Sequence, residues 1–109
     1  MGSMNTSYKG LNMYAVIFKA EFKHQDQAYT ETAERLRQLA KNKYGCVEFV
    51  SVCEGENEIS ISYWESEDQI RRWKQDEEHV KAQEKGKALW YKSYSIQVCK
   101  VMRCYSHNA

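Results

Sequence analysis

The chain has 109 residues, enough for one domain with a single hydrophobic core. Its 16 basic and 15 acidic side chains leave a formal net charge of +1, which argues against a nucleic-acid surface built on clustered positive charge. No apolar run approaches the roughly 20 residues that a membrane-spanning helix needs. Aromatic residues make up 13% of the chain, which indicates an aromatic pocket, a dimer face or both.

The two ends of the chain are polar, and we expect the folded domain to occupy residues 13–105, followed by a tail at 106–109. Residues 1–12 are aperiodic, which predicts a disordered tail or a cloning remnant. They contain no apolar segment typical of a signal peptide, and this favours a cytoplasmic protein with reduced thiols. The cysteines form no C-x-x-C pair, so we expect buried, unligated thiols and no metal site at Cys46, Cys53, Cys99 and Cys104.

The first two predicted elements are a strand and a helix. Apolar residues alternate from Tyr14 to Phe22, which predicts a strand with one core-facing side. Asp26 is placed to cap a helix whose apolar residues recur at helical spacing. Gly45 suits a left-handed end to that helix.

Two further strands are predicted next. Cys46 to Cys53 is rich in β-branched and aromatic residues, but its apolar positions do not alternate cleanly. This predicts either a bulge or a strand that is buried on both faces. An acidic hairpin turn at 54–58 leads into a third strand from Ile59 to Trp64.

Helical sequence then returns. Ser66 and Gln69 match a capping box at the start of a helix that buries Ile70 and Trp73. A second helical segment is expected to begin near Glu77 and to run towards 86–89. The chain should close with a long strand at 91–104.

The predicted order, β-α-β-β-α-β, is typical of an α+β, ferredoxin-like fold with a four-stranded antiparallel sheet and helices on one face. Two helices can cover only one face of the sheet. An apolar sheet face is most simply covered by a second copy of itself, so we expect a two-fold homodimer packed sheet against sheet.

The segment 59–86 carries the strongest functional signal. Trp64 and Trp73 stand on either side of the break between strand and helix, and His79 and Gln83 share one helix face. Aromatic walls with a few polar groups between them are typical of a pocket for a small organic ligand. We therefore expect a small aromatic or hydrophobic molecule as the ligand.

Several motifs in order resemble the antibiotic biosynthesis monooxygenase family: Tyr63-Trp64-Glu65-Ser66, Ile70-Arg71-Arg72-Trp73, then His79, Ala82, Gln83, Gly86 and Trp90-Tyr91. The resemblance extends from Tyr14 to Arg103. It implies a dimeric α/β barrel and an oxidoreductase, namely a cofactor-independent monooxygenase acting on an aromatic or quinol-type small molecule.

Within that resemblance, the expected catalytic residues are His79 as base, Trp73 as a wall and Gln83 as a hydrogen-bonding group. The expected substrate-binding residues are Phe18, Trp64, Trp90 and Tyr91. Each has a purely structural alternative: Trp73 is equally suited to anchoring the core, and His79, among acidic and basic neighbours, to a solvated helix face.

Two other functions stay open. The haem-degrading branch of the family uses an Asn on the first strand, a Trp on the following helix and a His beyond it. Here Trp73 matches, but Gln83 occupies the His position and no Asn lies near Phe18. Haem binding or degradation therefore ranks below the cofactor-independent reaction. The third alternative is a non-catalytic dimeric module that binds a small ligand.

Overall fold

A computed structural model describes residues 12–109 of the chain, so nearly all of the predicted tail at 1–12 lies outside the described residues. The elements, in chain order, are β1 (Tyr14–Phe22), α1 (Gln27–Asn42), β2 (Glu48–Glu54), β3 (Asn57–Trp64), α2 (Glu67–Gln75), α3 (Glu77–Lys85), a π-helical turn (Gly86–Trp90) and β4 (Tyr91–Lys100).

The strands form one antiparallel sheet in the order β2-β3-β1-β4. Phe18 at the middle of β1 lies opposite Ser60 on β3 and Ile96 on β4. The helices contribute to the core on one side of this sheet, where their apolar residues meet those of β1 and β3. The predicted α+β, ferredoxin-like fold is therefore confirmed.

The ends of the helices follow from local side-chain chemistry. Asp26 accepts a hydrogen bond from the backbone N–H of Tyr29 at 2.8 Å and caps α1. Ser66 caps α2 in the same way, because its hydroxyl accepts from the N–H of Gln69 at 3.2 Å. Gly45 has a φ of 81°, a left-handed conformation in which a side chain is strained. The predicted caps at Asp26 and Ser66 are confirmed, whereas α1 ends at Asn42 with Lys43 as its C-cap, so the left-handed Gly45 lies just beyond the helix.

The core cluster lies between α1, α2 and the central strands; its buried members are Val16, Leu39, Ala40, Cys46, Trp64, Ile70 and Trp73. Trp64 is the central residue of this cluster, since its indole is fully buried and stacks on that of Trp73 with ring centroids 5.2 Å apart. The indole N–H of Trp64 donates to Ser62 Oγ at 2.8 Å. The buried donor is thus satisfied, as a polar group in a core must be.

Strand β2 departs from its prediction. It pairs with β3 in unbroken register at the sheet edge, so it carries no bulge and is not buried on both faces. Phe49 faces the helices, whereas Val50 and Val52 face away and are 45% and 61% exposed. Its apolar residues fall on both faces because the outer sheet face is itself apolar. The register shift in this sheet lies between Glu21 and Phe22.

The last strand is shorter than predicted. Strand β4 ends at Lys100, which pairs with Tyr14, the first residue of β1. One further backbone hydrogen bond follows, from the N–H of Val101 to the carbonyl oxygen of Met13 at 2.9 Å. Met102, which the predicted strand included, is consequently 74% exposed. Cys104 also lies past the strand.

The cysteines are free thiols, but only Cys46 is fully buried. The expectation that all of them are buried is wrong for Cys53 and Cys99, because one lies next to the hairpin turn of the edge strand and the other on the outer face of β4. No helix within residues 12–109 combines the length and the apolar character needed to cross a membrane.

Candidate functional site

A cavity of about 420 Å³ lies between the sheet and the helices. Its floor comes from inward-facing residues of all four strands, and its roof comes from α1, α2, α3 and the π-helical turn. The predicted site residues that line it are Phe18, Trp73, His79, Gln83, Trp90 and Tyr91. The fold therefore brings together, around one cavity, residues that are up to 73 positions apart in the chain (91 − 18).

Aromatic rings form much of the cavity wall. The ring of Phe18 on the floor meets that of Tyr91 edge-on, with centroids 5.4 Å apart. Trp73 closes the opposite end and packs edge-on against Phe49 at 5.9 Å. The indole of Trp90 is buried in the roof beside Tyr29. Rings held against one another in this way give a rigid, apolar enclosure.

Gly86 and Tyr91 are closely packed at the π-helical turn. A Cβ at position 86 would lie only 2.7 Å from the Tyr91 ring, so the ring occupies the space that a side chain there would need. Wide turns of this kind often mark functional sites in helices. Here the turn places Trp90 in the roof and Tyr91 at the start of β4, where both reach the cavity.

Trp64 does not line the cavity, although the sequence placed it in the wall. Its indole has no exposed surface and lies behind that of Trp73. The reason is the position of Trp64 at the end of β3, where α2 covers it. Its neighbours on the same strand face, Ser60 and Ser62, are the residues that reach the cavity.

His79 is buried, with 9% of its surface exposed, so the solvated alternative does not apply. Burial, followed by the positive charge of Lys74, lowers the pKa of His79 from 6.5 to about 4. The near-neutral pKa expected for a general base is therefore corrected: the imidazole is neutral at physiological pH and is a weak proton acceptor. Its Nδ1 is buried and finds no hydrogen-bond partner in any other residue between 12 and 109.

Gln83 lies on the same face of α3 as His79, as the spacing predicted, and both line the cavity. Its side-chain amide makes no hydrogen bond within the described part of the chain. An amide that offers both donors and an acceptor, and that is not engaged elsewhere, is available to orient a polar ligand.

A cluster of polar side chains, which was not predicted from the sequence, surrounds Glu58. This residue was assigned to the hairpin turn, but it belongs to β3, points inward and is only 7% exposed. Its carboxyl group accepts hydrogen bonds from the Tyr29 hydroxyl and, at 3.3 Å, from Ser60 Oγ. Ser60 in turn lies 2.6 Å from Ser51 Oγ. The missed signal was the period of two that puts Glu58 on the same face as Ser60 and Ser62.

The phenols beside Glu58 hold their protons strongly. Burial, with the hydrogen bonds to Glu58 and Tyr91, raises the pKa of Tyr29 far above its ordinary value. Burial also raises the pKa of Tyr91 to about 12, and its hydroxyl donates to that of Tyr29 at 3.4 Å. Both groups are therefore donors at neutral pH, arranged in a chain that ends on the Glu58 carboxyl group.

Positive charge lies at the other end of the cavity, on Arg37 and Lys74. The guanidinium of Arg37 lies over the Phe49 ring, 5.4 Å from its centroid, and pairs with Glu34 at 2.8 Å through one terminal nitrogen. Its Nε is buried without a hydrogen-bond partner in the described residues. Lys74 is half-buried and forms no ion pair with any residue from 12 to 109.

The family model described as antibiotic biosynthesis monooxygenase matches residues 13–85. The uncharacterized protein YqjZ of Bacillus subtilis (strain 168) is 44% identical over 91 residues, which are 83% of this chain and 80% of YqjZ.

Solved structures with the same fold include SnoaB from Streptomyces nogalater, described as a cofactor-independent oxygenase, with a TM-score of 0.69 and 12% identity over 82% of this chain and 92% of SnoaB. A dimeric protein of unknown function from Bacteroides fragilis NCTC 9343 has a TM-score of 0.61 and 12% identity over 83% of this chain and 97% of its own. Such low identities show the fold alone. The match to the family model covers most of the chain, and the chain belongs to the antibiotic biosynthesis monooxygenase family.

Proposed function

We propose that this protein is a cofactor-independent monooxygenase that acts on an electron-rich aromatic small molecule, such as a hydroquinone. The observation that carries the proposal is the cavity of about 420 Å³, which has aromatic walls and in which neither the Gln83 amide nor Nδ1 of the neutral His79 ring has a hydrogen-bond partner among residues 12–109. Family membership and the fold shared with SnoaB, a cofactor-independent oxygenase, support the same reaction class.

The reaction needs no external reductant. One hydroquinone and one dioxygen molecule together contain the atoms of one hydroxyquinone and one water, and the hydroquinone supplies every electron. Loss of a hydroxyl proton gives an anion that can pass an electron to dioxygen. The resulting radical pair combines to form a carbon–oxygen bond, and water leaves. An apolar enclosure that excludes solvent protects this pair from side reactions.

The cavity residues suit the binding part of this task. Phe18, Trp73 and Trp90 give flat apolar surfaces for an aromatic ring, and Tyr91 and Gln83 offer hydrogen bonds at its edge. His79 presents an uncharged imidazole, which can accept or donate a hydrogen bond without placing a charge in an apolar site. We therefore propose that His79 orients the substrate hydroxyl by a hydrogen bond and does not act as the general base that removes its proton.

A homodimer is part of the proposal. The sheet face turned away from the helices carries Val50, Val52 and Ile59, all of them more than 40% exposed in the single chain. A contiguous apolar patch of this kind marks an interaction surface. The cytoplasmic location expected from the sequence stays a prediction.

Oxygen uptake by the purified protein tests the function. A panel of hydroquinones and anthrones is incubated with protein and a metal chelator, and uptake is compared with spontaneous autoxidation. We expect protein-dependent uptake with at least one compound, incorporation of one labelled oxygen atom into the product, and slower turnover by His79→Ala. His107→Ala, in the exposed tail, is the matched control. Uptake no faster than autoxidation across the whole panel would contradict the proposal.

Among the residues that line the cavity, His79 offers the one imidazole for haem iron. The Gln83 amide is no substitute for an imidazole ligand to iron, and β1 contains no Asn. The alternative of a non-catalytic binding module predicts ligand binding in the same cavity without oxygen uptake, so the assay above also separates it from an oxygenase.

A further inference from the structure

The cavity has chemically opposite ends. The Glu58 carboxyl group and the Tyr29 and Tyr91 hydroxyls lie at one end, and Arg37 and Lys74 lie at the other. Tyr29 and Arg37 are both on α1, and the rise of a helix places their backbones about 12 Å apart. The space between these groups is lined by aromatic rings. The arrangement is that of a slot with a hydrogen-bond acceptor at one end and positive charge at the other.

The Glu58 end is built for a neutral donor. Burying a carboxyl group is costly unless a cation or several hydrogen bonds offset the loss of water. No Lys, Arg or His of residues 12–109 lies within ion-pair distance of Glu58. Its partners are the hydroxyls of Tyr29 and Ser60 and, at the long distance of 3.9 Å, the thiol of Cys53. A ligand hydroxyl would supply the strong additional donor that this set lacks.

The basic end is built for an anion. Glu34 neutralises part of the charge of Arg37, but the buried Nε of Arg37 is unpaired within the described residues. The ammonium group of Lys74 is close enough to His79 to lower the pKa of the imidazole, and it forms no ion pair in the part of the chain that the structure describes. Two cations and one exposed carboxylate, which is paired with Arg37, leave net positive charge for a ligand carboxylate.

We propose that the cavity takes aromatic acids that carry a hydroxyl group at the far end of the ring system. The carboxylate binds between Arg37 and Lys74, the rings lie against Trp73 and Phe18, and the hydroxyl donates to Glu58 beside Tyr29. The inference rests on the proposed function for the statement that such a molecule is the substrate; the binding itself does not depend on any reaction. In turnover the hydroxyl proton would pass to the Glu58 carboxylate, leaving the aryloxide.

Binding is measured by quenching of tryptophan fluorescence with three probes that share the naphthalene ring system. The first is a hydroxynaphthoate with its two groups at opposite ends of the ring system, the second is the naphthol without the carboxylate, and the third is the naphthoate without the hydroxyl. We expect the hydroxynaphthoate to bind at least about tenfold more tightly than either of the others. Equal binding of all three would overturn the proposal, because it would show that only the apolar walls matter.

Substitutions at each end of the cavity test which ligand group binds there. Lys74→Met should weaken the hydroxynaphthoate and the naphthoate by about tenfold and leave the naphthol unchanged. Glu58→Gln should weaken the hydroxynaphthoate and the naphthol and leave the naphthoate unchanged. Tyr29→Phe serves as a second variant at this end if Glu58→Gln does not fold. The controls are Lys81→Met and Glu54→Gln, exposed residues of α3 and β2 that do not line the cavity.

The outcomes separate the two proposals. A variant that weakens all three probes equally would overturn the assignment of its end. Selective binding of the hydroxynaphthoate would support the proposed ligand class. If, in addition, no hydroxylated aromatic acid gave protein-dependent oxygen uptake, the oxygenase proposal would be contradicted. Oxygen uptake with neutral hydroquinones, together with equal binding of the three probes, would support the oxygenase and overturn the ligand class.

Discussion

The imidazole of His79 stands edge-on to the indole of Trp73, with ring centroids 4.5 Å apart and an interplanar angle of 79°. This contact joins the start of α3 to the end of α2 and makes one continuous wall of the cavity. An imidazolium held in this buried position would lose most of its hydration. The contact therefore links the protonation of one side chain both to ligand binding and to the stability of the fold.

The first prediction concerns acid stability. The folded-state pKa of His79 is about 4, below its ordinary 6.5, so between these values the unfolded chain binds a proton that the folded chain does not. The free energy of unfolding should therefore fall as the pH drops from 6.5 to 4, by roughly 3 kcal/mol from this group. Urea denaturation at several pH values measures the fall. His79→Gln should lose that part of the slope, whereas His107→Gln should keep it; an unchanged slope in His79→Gln would contradict the pKa.

The second prediction separates core from cavity. Trp64→Phe should lower the free energy of unfolding by roughly 1–3 kcal/mol, because it removes buried volume and leaves Ser62 without its indole donor. Ligand affinity should change little, since Trp64 does not line the cavity. Trp73→Phe should reduce both stability and affinity. Comparison of chemical denaturation with probe binding checks this, and an affinity loss in Trp64→Phe equal to that in Trp73→Phe would argue against the placement of Trp64.

The third prediction concerns the buried carboxyl group. Tyr29→Phe removes the main donor to Glu58 and should cost roughly 1–3 kcal/mol of stability, the usual penalty for a buried polar group that loses its partner. Tyr91→Phe removes only the longer contact of 3.4 Å to the Tyr29 hydroxyl and should cost less. Thermal and chemical denaturation of the two variants give the comparison. An equal loss of unfolding free energy in both variants would show that the hydrogen bond from Tyr29 to Glu58 contributes no more to stability than the contact between the two hydroxyls.

The fourth prediction concerns assembly. A dimer that buries the outer sheet face should dissociate when a charge is placed on it, so Val52→Lys should convert the protein to a monomer in sedimentation analysis. Val80→Lys is the matched control, because Val80 is 40% exposed but lies on α3, in the helical layer. A wild-type monomer at micromolar concentration, or dissociation caused equally by both variants, would count against this interface.

The fifth prediction concerns haem. Titration of the protein with hemin should leave the Soret band at the position and intensity of free hemin, because the side chain at position 83 is an amide and provides no imidazole for the iron. If a shifted Soret band appears in the wild type and is lost in His79→Ala, the haem alternative gains over the proposed function.

Much of the fold could be predicted from local sequence. The alternation in β1, the caps at Asp26 and Ser66 and the left-handed Gly45 are each determined by a residue's own chemistry and its near neighbours. The end of β4 could not be predicted in this way. It depends on where β1 starts, because Lys100 pairs with Tyr14, the first residue of β1.

In the candidate site, too, local sequence predicted some features, whereas others depend on contacts between distant parts of the chain. The helical spacing of His79 and Gln83 correctly placed both on the face that meets the cavity. The burial of Trp64 depends on how α2 packs across the end of β3, which no local pattern reports. Glu58 was missed because a single acidic residue beside a turn is usually solvated, and its burial follows from the distant Tyr29.

The contact between Gly86 and the Tyr91 ring has a consequence for how the family can diversify. Position 86 does not border the cavity, yet any side chain there would push the Tyr91 ring out of its present place. A residue that does not line the cavity can therefore change the size of the cavity by displacing one that does. Substitution at this one backbone position offers a route to altered ligand size that leaves every ligand-contacting residue chemically intact.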